Sequence, residues 1–276
     1  MQTVQRISRP NARFQQWEAL LRNRNKRQRA GEFLVHGVRP ISLAIERGWS
    51  TRAVLYDAER SLSQWGAQVL NRSGGERVAI TPELLRQLSD KAQEAPELVA
   101  VVEMPDDHLS RIRVEASFLG LVFDRPSMPG NIGTIVRSLD AFDGSGLIVT
   151  GHGADPYDPK SVRASTGSLF AVPTVRLPSQ QPVLAWAREQ RAAGISLTIV
   201  GTDENGVHDI ADLGLTGPTL FVIGNETAGL SARWREACDV MARIPIGGAA
   251  SSLNAASAAT VALYEAARQR GRAARG

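Results

Sequence analysis

Apolar residues along this chain keep two alternating rhythms. Short continuous runs at 33–35, 52–56, 77–80, 98–103, 117–123, 146–150, 197–201, 220–223 and 240–246 have the length and flanking turn residues of buried strands. Between them lie stretches with helical spacing. Phe14, Trp17, Leu20 and Leu21 mark one amphipathic helix over 11–28, and further helices are expected up to Glu46, at 62–71, at 82–88, from Asn131, at 182–193 and from about Asn254. Such alternation predicts an α/β fold. The expected organisation is a first unit over 1–105, a charged linker at 106–116, and a second sheet within 117–276.

Composition narrows the class. With 276 residues and 43% hydrophobic content, two modest cores are affordable in size. No apolar run approaches the roughly 18 residues of a membrane span, and the segment MQTVQRISRPNARF lacks the apolar centre of a signal peptide, so a cytoplasmic protein without membrane contact is expected. A single cysteine, Cys238, excludes an internal disulfide, and four scattered histidines give no expectation of a metal site.

The charge is mildly basic, +4 at pH 7, and its arrangement says more than its total. Between Arg6 and Arg29 the only acid is Glu18. Arg24, Lys26 and Arg27 are the candidate phosphate contacts there, and a second basic group, Arg268, Arg270, Arg272 and Arg275, closes the chain. Arginine supplies nearly all of the 32 basic residues, which weakens any argument from arginine alone.

Chemistry concentrates where strands end. The 220–223 run stops at Gly224-Asn225-Glu226, and the 240–246 run opens past Pro245 into Gly247-Gly248-Ala249-Ala250, where small residues admit a close neighbour. Ser252 is expected to cap the final helix, which is apolar on nearly every face and therefore expected to be buried. Asn225, Glu226, Ser252 and Asn254 thus gather at strand carboxyl ends, where open α/β sheets bind ligands. Upstream, the loop 124–130 leads into a helix whose free amides are expected to face an anion. Residues 151–156, Gly-His-Gly-Ala-Asp-Pro, imitate a dinucleotide fingerprint and fail it, because Pro156 takes the third glycine's place. In SVRASTGS at 161–168, Arg163 and Ser165 are candidate substrate contacts and the small residues suit close packing.

These loops carry a resemblance. Pro129-Gly130-Asn131-Ile132-Gly133 running to Arg137, Gly224-Asn225-Glu226-x-x-Gly229-Leu230-Ser231, and Ile244-Pro245-Ile246-Gly247-(x)4-Ser252-Leu253-Asn254 resemble, in order, the three motifs of the SpoU (TrmH-type) RNA ribose 2′-O-methyltransferases of the SPOUT superfamily. Glu32 to Arg39 resembles the start of the ribosomal-protein-like RNA-binding domain that many such enzymes carry, with His36 where an acid or amide is usual and Arg39 a further RNA-contact candidate. Met128 and Thr227 also depart from the usual pattern.

The resemblance implies a trefoil-knotted carboxy-terminal methyltransferase domain behind an amino-terminal α/β RNA-binding domain, S-adenosylmethionine as cofactor, RNA as substrate and a homodimer formed through the knot. It implies Asn131, Arg137, Glu226, Ser252 and Asn254 as catalytic residues, with Glu226 orienting Arg137, and Gly224, Ile244, Leu253 and Thr202 as cofactor contacts. Arg137 is assigned as a base in this family, yet a guanidinium stays protonated in essentially all protein settings, so a phosphate-gripping role is equally open. Domain pairing and arginine content resemble actinomycete enzymes that modify 23S ribosomal RNA and confer resistance to antibiotics of the avilamycin or thiostrepton type. A housekeeping ribosomal or transfer RNA methyltransferase and a non-catalytic RNA-binding protein on the same scaffold are the alternatives. A dinucleotide oxidoreductase is disfavoured by the failed glycine pattern.

Overall fold

The computed structural model of the chain describes residues 5–89 and 95–273. The first stretch holds β1 (Gln5–Ile7), α1 (Ala12–Arg22), α2 (Arg24–Ala30), β2 (Glu32–His36), α3 (Val38–Glu46), β3 (Thr51–Asp57), α4 (Gln64–Arg72), β4 (Glu76–Ile80), α5 (Pro82–Gln87) and β5 (Leu98–Glu103). The single helix expected over 11–28 is two. Asn23 adopts an extended backbone, and its side-chain oxygen accepts from the Lys26 amide at 3.1 Å, just as Asn11 accepts from Phe14 at 2.9 Å to start α1. An Asn that caps a second helix ends the first.

The strands form one mixed sheet in the order β1-β4-β3-β5-β2, parallel across β1, β4 and β3 and antiparallel across β3, β5 and β2. Phe14, Trp17 and Leu20 of α1 pack with Leu34, Leu55, Val78 and Val99 in its core, as the helical spacing predicts.

The chain then runs through β6 (Leu119–Asp124), α6 (Pro129–Ala141) and β7 (Gly146–Thr150) before α7 (Pro159–Ala164). It continues with β8 (Thr174–Leu177), α8 (Gln181–Ala192), β9 (Thr198–Thr202), β10 (His208–Asp209), β11 (Thr219–Ile223), α9 (Ala232–Ala237), β12 (Val240–Arg243) and α10 (Ala255–Ala273). Seven strands make a wholly parallel sheet, β10-β12-β9-β11-β6-β7-β8. Its central members are buried along their full length, which is why β6, β7 and β11 read as unbroken apolar runs. The order of β9, β11 and β6 is not sequential, so the sheet contains the crossovers at which ligand crevices open.

Two compact units result: residues 1–105 with 157–171, and residues 106–156 with 172–276. One unit boundary falls after Pro105, and residues 106–116, expected as a linker, belong to the second unit. The segment 157–171, expected within the methyltransferase domain, instead packs in the first unit. Aromatic contact explains this: Tyr157 and Phe170 sit 4.8 and 6.3 Å from the Phe33 ring, and the Trp49 indole donates to the Phe170 carbonyl at 3.1 Å.

His36 ends β2 as a structural residue. Its Nε2 lies 2.8 Å from the Leu88 carbonyl, which only accepts, so Nε2 carries the proton of the neutral ring. Burial pushes the imidazole from 6.5 down to about 4 against that hydrogen bond, and the Arg163 charge pushes the same way as burial. The folded value lies below the unfolded one, so the unfolded chain binds the extra proton between the two. Stability is full above 6.5 and is lost as pH falls toward 4, by at most about 3 kcal/mol. His36→Gln keeps a donor for the Leu88 carbonyl and is expected to flatten the slope of urea midpoint against pH in that window. An unchanged slope contradicts the assignment.

Candidate functional site

In the second unit, the carboxyl ends of β9, β11 and β12 and the loops that follow them surround a cleft of about 270 Å³. Thr202, Gly224, Ile244 and Leu253 all line it, together with Glu226 and Ser252. Three loops, after β9, β11 and β12, therefore converge on one wall, as the polar residues at strand ends imply. Ile246 and Leu253 stay 38% and 39% exposed there, apolar surface turned to the open side of a binding crevice. Asp203 and Glu204 add carboxylates to the lining, and Asp203 is paired with Arg235 at 2.7 Å.

Glu226 organises the polar side of the site. Its Oε2 accepts from the Ser127 amide and hydroxyl, each at 2.8 Å, and its Oε1 accepts from the Met128 amide at 3.1 Å and the Asn131 side chain at 2.9 Å. Burial pushes this carboxyl up. The hydrogen bonds from the Ser127 amide, the Asn131 side chain, its own backbone N–H and the Ser127 hydroxyl outweigh that, and its pKa lies below the usual 4.5. The anion expected before α6 is thus internal to the protein: it is Glu226. Neither Ser127 nor Met128 was legible as a partner, since both act mainly through backbone amides.

The carboxylate sets the rest by donor logic. Because it only accepts, Asn131 must present its NH2 to Glu226 and its oxygen away, toward the Asn254 NH2 at 3.2 Å. Asn254 then turns its own oxygen to the Ala256 and Ser257 amides at 2.9 and 3.3 Å. Asn254, not Ser252, caps α10, which leaves the Ser252 hydroxyl exposed on the cleft wall. Arg137 stands on α6, exposed, with no hydrogen bond or ion pair among the described residues. The expected Glu226–Arg137 pairing is absent because Asn131, Ser127 and Met128 occupy the carboxylate.

The last helix is buried on one side only. Ala256, Ala259, Ala262, Leu263 and Ala266 face inward, whereas Val261 and Tyr264 are 37% and 55% exposed. Tyr264 packs edge-on to Phe142 with ring centroids 5.9 Å apart.

The RNA-contact candidates lie in the first unit and divide sharply. Lys26, Arg39 and Arg163 are exposed and Arg24 is half-buried. Arg27 is not a surface charge: it is 2% exposed, donates to the Leu20 carbonyl at 2.8 Å and pairs with Asp158 at 3.2 Å. Ser165 is likewise fully buried, with its hydroxyl given to the Val162 carbonyl at 2.7 Å. Of the closing basic group, Arg268 binds Glu265 and Arg270 donates to the Leu215, Phe118, Ser117 and Gly217 carbonyls; Arg275 lies outside the described residues.

A contrast of variants checks this division. Arg27→Ala strands Asp158 and should destabilise the protein by about 3 kcal/mol. Lys26→Ala should leave the melting temperature alone and lower the salt slope of RNA binding by about one. Equal stability of both variants contradicts the assignment.

The chain is similar to known proteins over most of its length. Residues 11–100 match the SpoU L30e-like domain, and residues 119–264, over half of the chain, match the SpoU rRNA Methylase family. The chain belongs to the SpoU rRNA methylase family. Among curated relatives, a Streptomyces viridochromogenes protein named 23S rRNA (uridine(2479)-2'-O)-methyltransferase is 60% identical over 267 residues, spanning 97% of this chain and 93% of that one. The crystal structure of the SpoU methyltransferase AviRb from the same organism, in complex with AdoMet, matches with a TM-score of 0.91 at 60% identity, over 95% of this chain and 98% of the other. An AdoMet-bound rRNA methyltransferase from Sinorhizobium meliloti matches with a TM-score of 0.85 at 28% identity, over 96% and 98% of the two chains. Two of the three motif stretches, 224–231 and 244–254, supply residues that line this cleft, and the third, 129–137, meets it through the Asn131–Glu226 hydrogen bond.

Proposed function

We propose that this chain transfers a methyl group from S-adenosylmethionine to a ribose 2′-hydroxyl of 23S ribosomal RNA, at the uridine corresponding to that of the Streptomyces relative. One observation carries the reading. The Glu226–Asn131–Asn254 chain of hydrogen bonds fixes two amide side chains beside a cleft lined by Thr202, Gly224, Ile244 and Leu253.

The residues present fit such a cofactor. Ile244, Ile246 and Leu253 offer apolar surface for an adenine, and Asp203, Glu204 and Glu226 outnumber Arg235 in the lining, which suits a cation. When bound, the cofactor supplies a sulfonium-activated methyl group. The chain's own residues do the alignment. Exposed Asn254 and Ser252 hold the ribose, and the Arg137 guanidinium, unpaired within the described residues, grips the adjacent phosphate. Glu226 is saturated by donors, which suits it to orient Asn131 rather than to abstract a proton.

We also infer a trefoil knot in 224–254 and a homodimer, for which the exposed Val261 and Tyr264 on α10 supply apolar surface. Among the described residues no helix is long and apolar enough to cross a membrane. A role in resistance to ribosome-targeting antibiotics is the narrower reading. S-adenosylmethionine at about 100 times its dissociation constant should stabilise the fold by about 2.7 kcal/mol, and NAD should not. A melting temperature indifferent to S-adenosylmethionine contradicts the proposal.

A further inference from the structure

Arg125 sits at the end of β6 in a conformation few arginines adopt, φ +51°. Such strain persists only where surrounding structure enforces it. Its guanidinium pairs with Asp124, 4% exposed, at 3.0 Å and also donates to the Gly229 carbonyl at 3.1 Å. Its own carbonyl accepts from the Asn225 side chain at 2.6 Å. Asp124 meanwhile accepts from the Ser231 amide at 3.1 Å.

Between these anchors, residues 225–229 close on themselves. Asn225 and Gly229 exchange both backbone hydrogen bonds, and the Asn225 oxygen accepts from the Thr227 and Ala228 amides at 3.0 and 2.9 Å. Every residue from Asn225 to Gly229 lines the cleft, whereas Arg125 does not.

The rejected glycine pattern at 151–156 finds its use here. A Cβ on Gly151, itself at φ +75°, would lie 2.7 Å from the Arg125 Cγ, and one on Gly153 would lie 2.7 Å from the Pro126 carbonyl oxygen. Gly-His-Gly after β7 is a seat for the 125–126 turn, which accounts for glycines that bind no dinucleotide.

We propose that Arg125 is a positioning residue: through its guanidinium and its carbonyl it straps residues 225–229 to the end of β6 and so sets the cleft wall, and Glu226 with it, for an adenosyl cofactor. This rests on the function proposed above. The strap acts from both ends of the loop, so cutting either end loosens the same wall.

The test is calorimetric titration of the full-length protein with S-adenosylhomocysteine, alongside amide hydrogen exchange at Thr227 and Ala228. Arg125→Gly relieves the backbone strain while removing the side chain, and Asn225→Asp removes the donor to the Arg125 carbonyl from the other side. Both should weaken the cofactor product by about tenfold, speed exchange at the two amides, and combine less than additively in the double variant. Arg125→Lys, which keeps the charge against Asp124, should fall between them and wild type, and it carries the test if Arg125→Gly does not fold. A folded variant that binds within about twofold of wild type, with unchanged exchange, overturns the proposal whatever its melting temperature. If wild type itself fails to bind, the functional reading has failed instead, and the exchange rates alone decide the strap.

Discussion

Arg137→Ala is expected to lower methyl transfer by about 10³-fold, on the order of 4 kcal/mol of barrier. It should leave the melting temperature and the affinity for S-adenosylmethionine unchanged. The expectation follows from position. Arg137 is exposed on α6 and makes no hydrogen bond or ion pair among the described residues, so its removal should cost little folding energy. In the proposed role what is lost is a positive charge that would hold a phosphate and with it the ribose in line, and small misalignments of reacting groups cost about 10²-fold or more. Arg137→Lys retains charge without the planar fork and should recover only part of the rate. A Michaelis analysis with 23S RNA checks this. An alanine variant retaining most of wild-type kcat contradicts it.

Glu226→Gln should have the second largest effect, about 10²-fold in transfer rate together with a loss of about 2 kcal/mol in stability. The carboxylate accepts four hydrogen bonds from Ser127, Met128 and Asn131. An amide has one accepting oxygen, so its NH2 would confront at least one of those donors, and Asn131 would lose the reason to turn its oxygen toward Asn254. Because the folded carboxyl lies below its ordinary value, this contribution is present above the unfolded value near 4.5 and is lost as pH falls through the lowered one. The difference in unfolding free energy between wild type and Glu226→Gln should therefore shrink on acidification below that value. A constant difference, or a variant of undiminished rate, contradicts the role of Glu226 as organiser.

The strand framework was legible because buried parallel strands leave unbroken apolar runs: 98–103 and 146–150 coincide with β5 and β7. Short edge elements escaped. β1, β8, β10, α7 and α9 have two to six residues each, too few for a periodicity to register. Expectations that turned on one polar side chain fared unevenly, because sequence does not say which neighbour a donor or acceptor meets. Asn23 split a helix that spacing alone joins, Asn254 took the cap expected of Ser252, and Asp158, distant in sequence, drew Arg27 into the interior. Gly224, Ile244, Leu253 and Thr202, which the family resemblance implied as cofactor contacts, all line one cleft, and loops at the carboxyl ends of parallel strands are where such a cleft opens. Residues 157–171 were expected with the second unit and pack with the first, because their aromatic residues find their partners in the earlier sheet.

Ribose methylation of 23S ribosomal RNA can be read out by methyl labelling. Purified protein is incubated with S-adenosylmethionine carrying a labelled methyl group and with 23S RNA, wild type against Arg137→Ala, and the product is mapped by primer extension sensitive to ribose methylation. The account predicts label at a single 2′-oxygen, abolished by the substitution. Wild-type protein that binds both cofactor and RNA yet leaves the RNA unlabelled would contradict it.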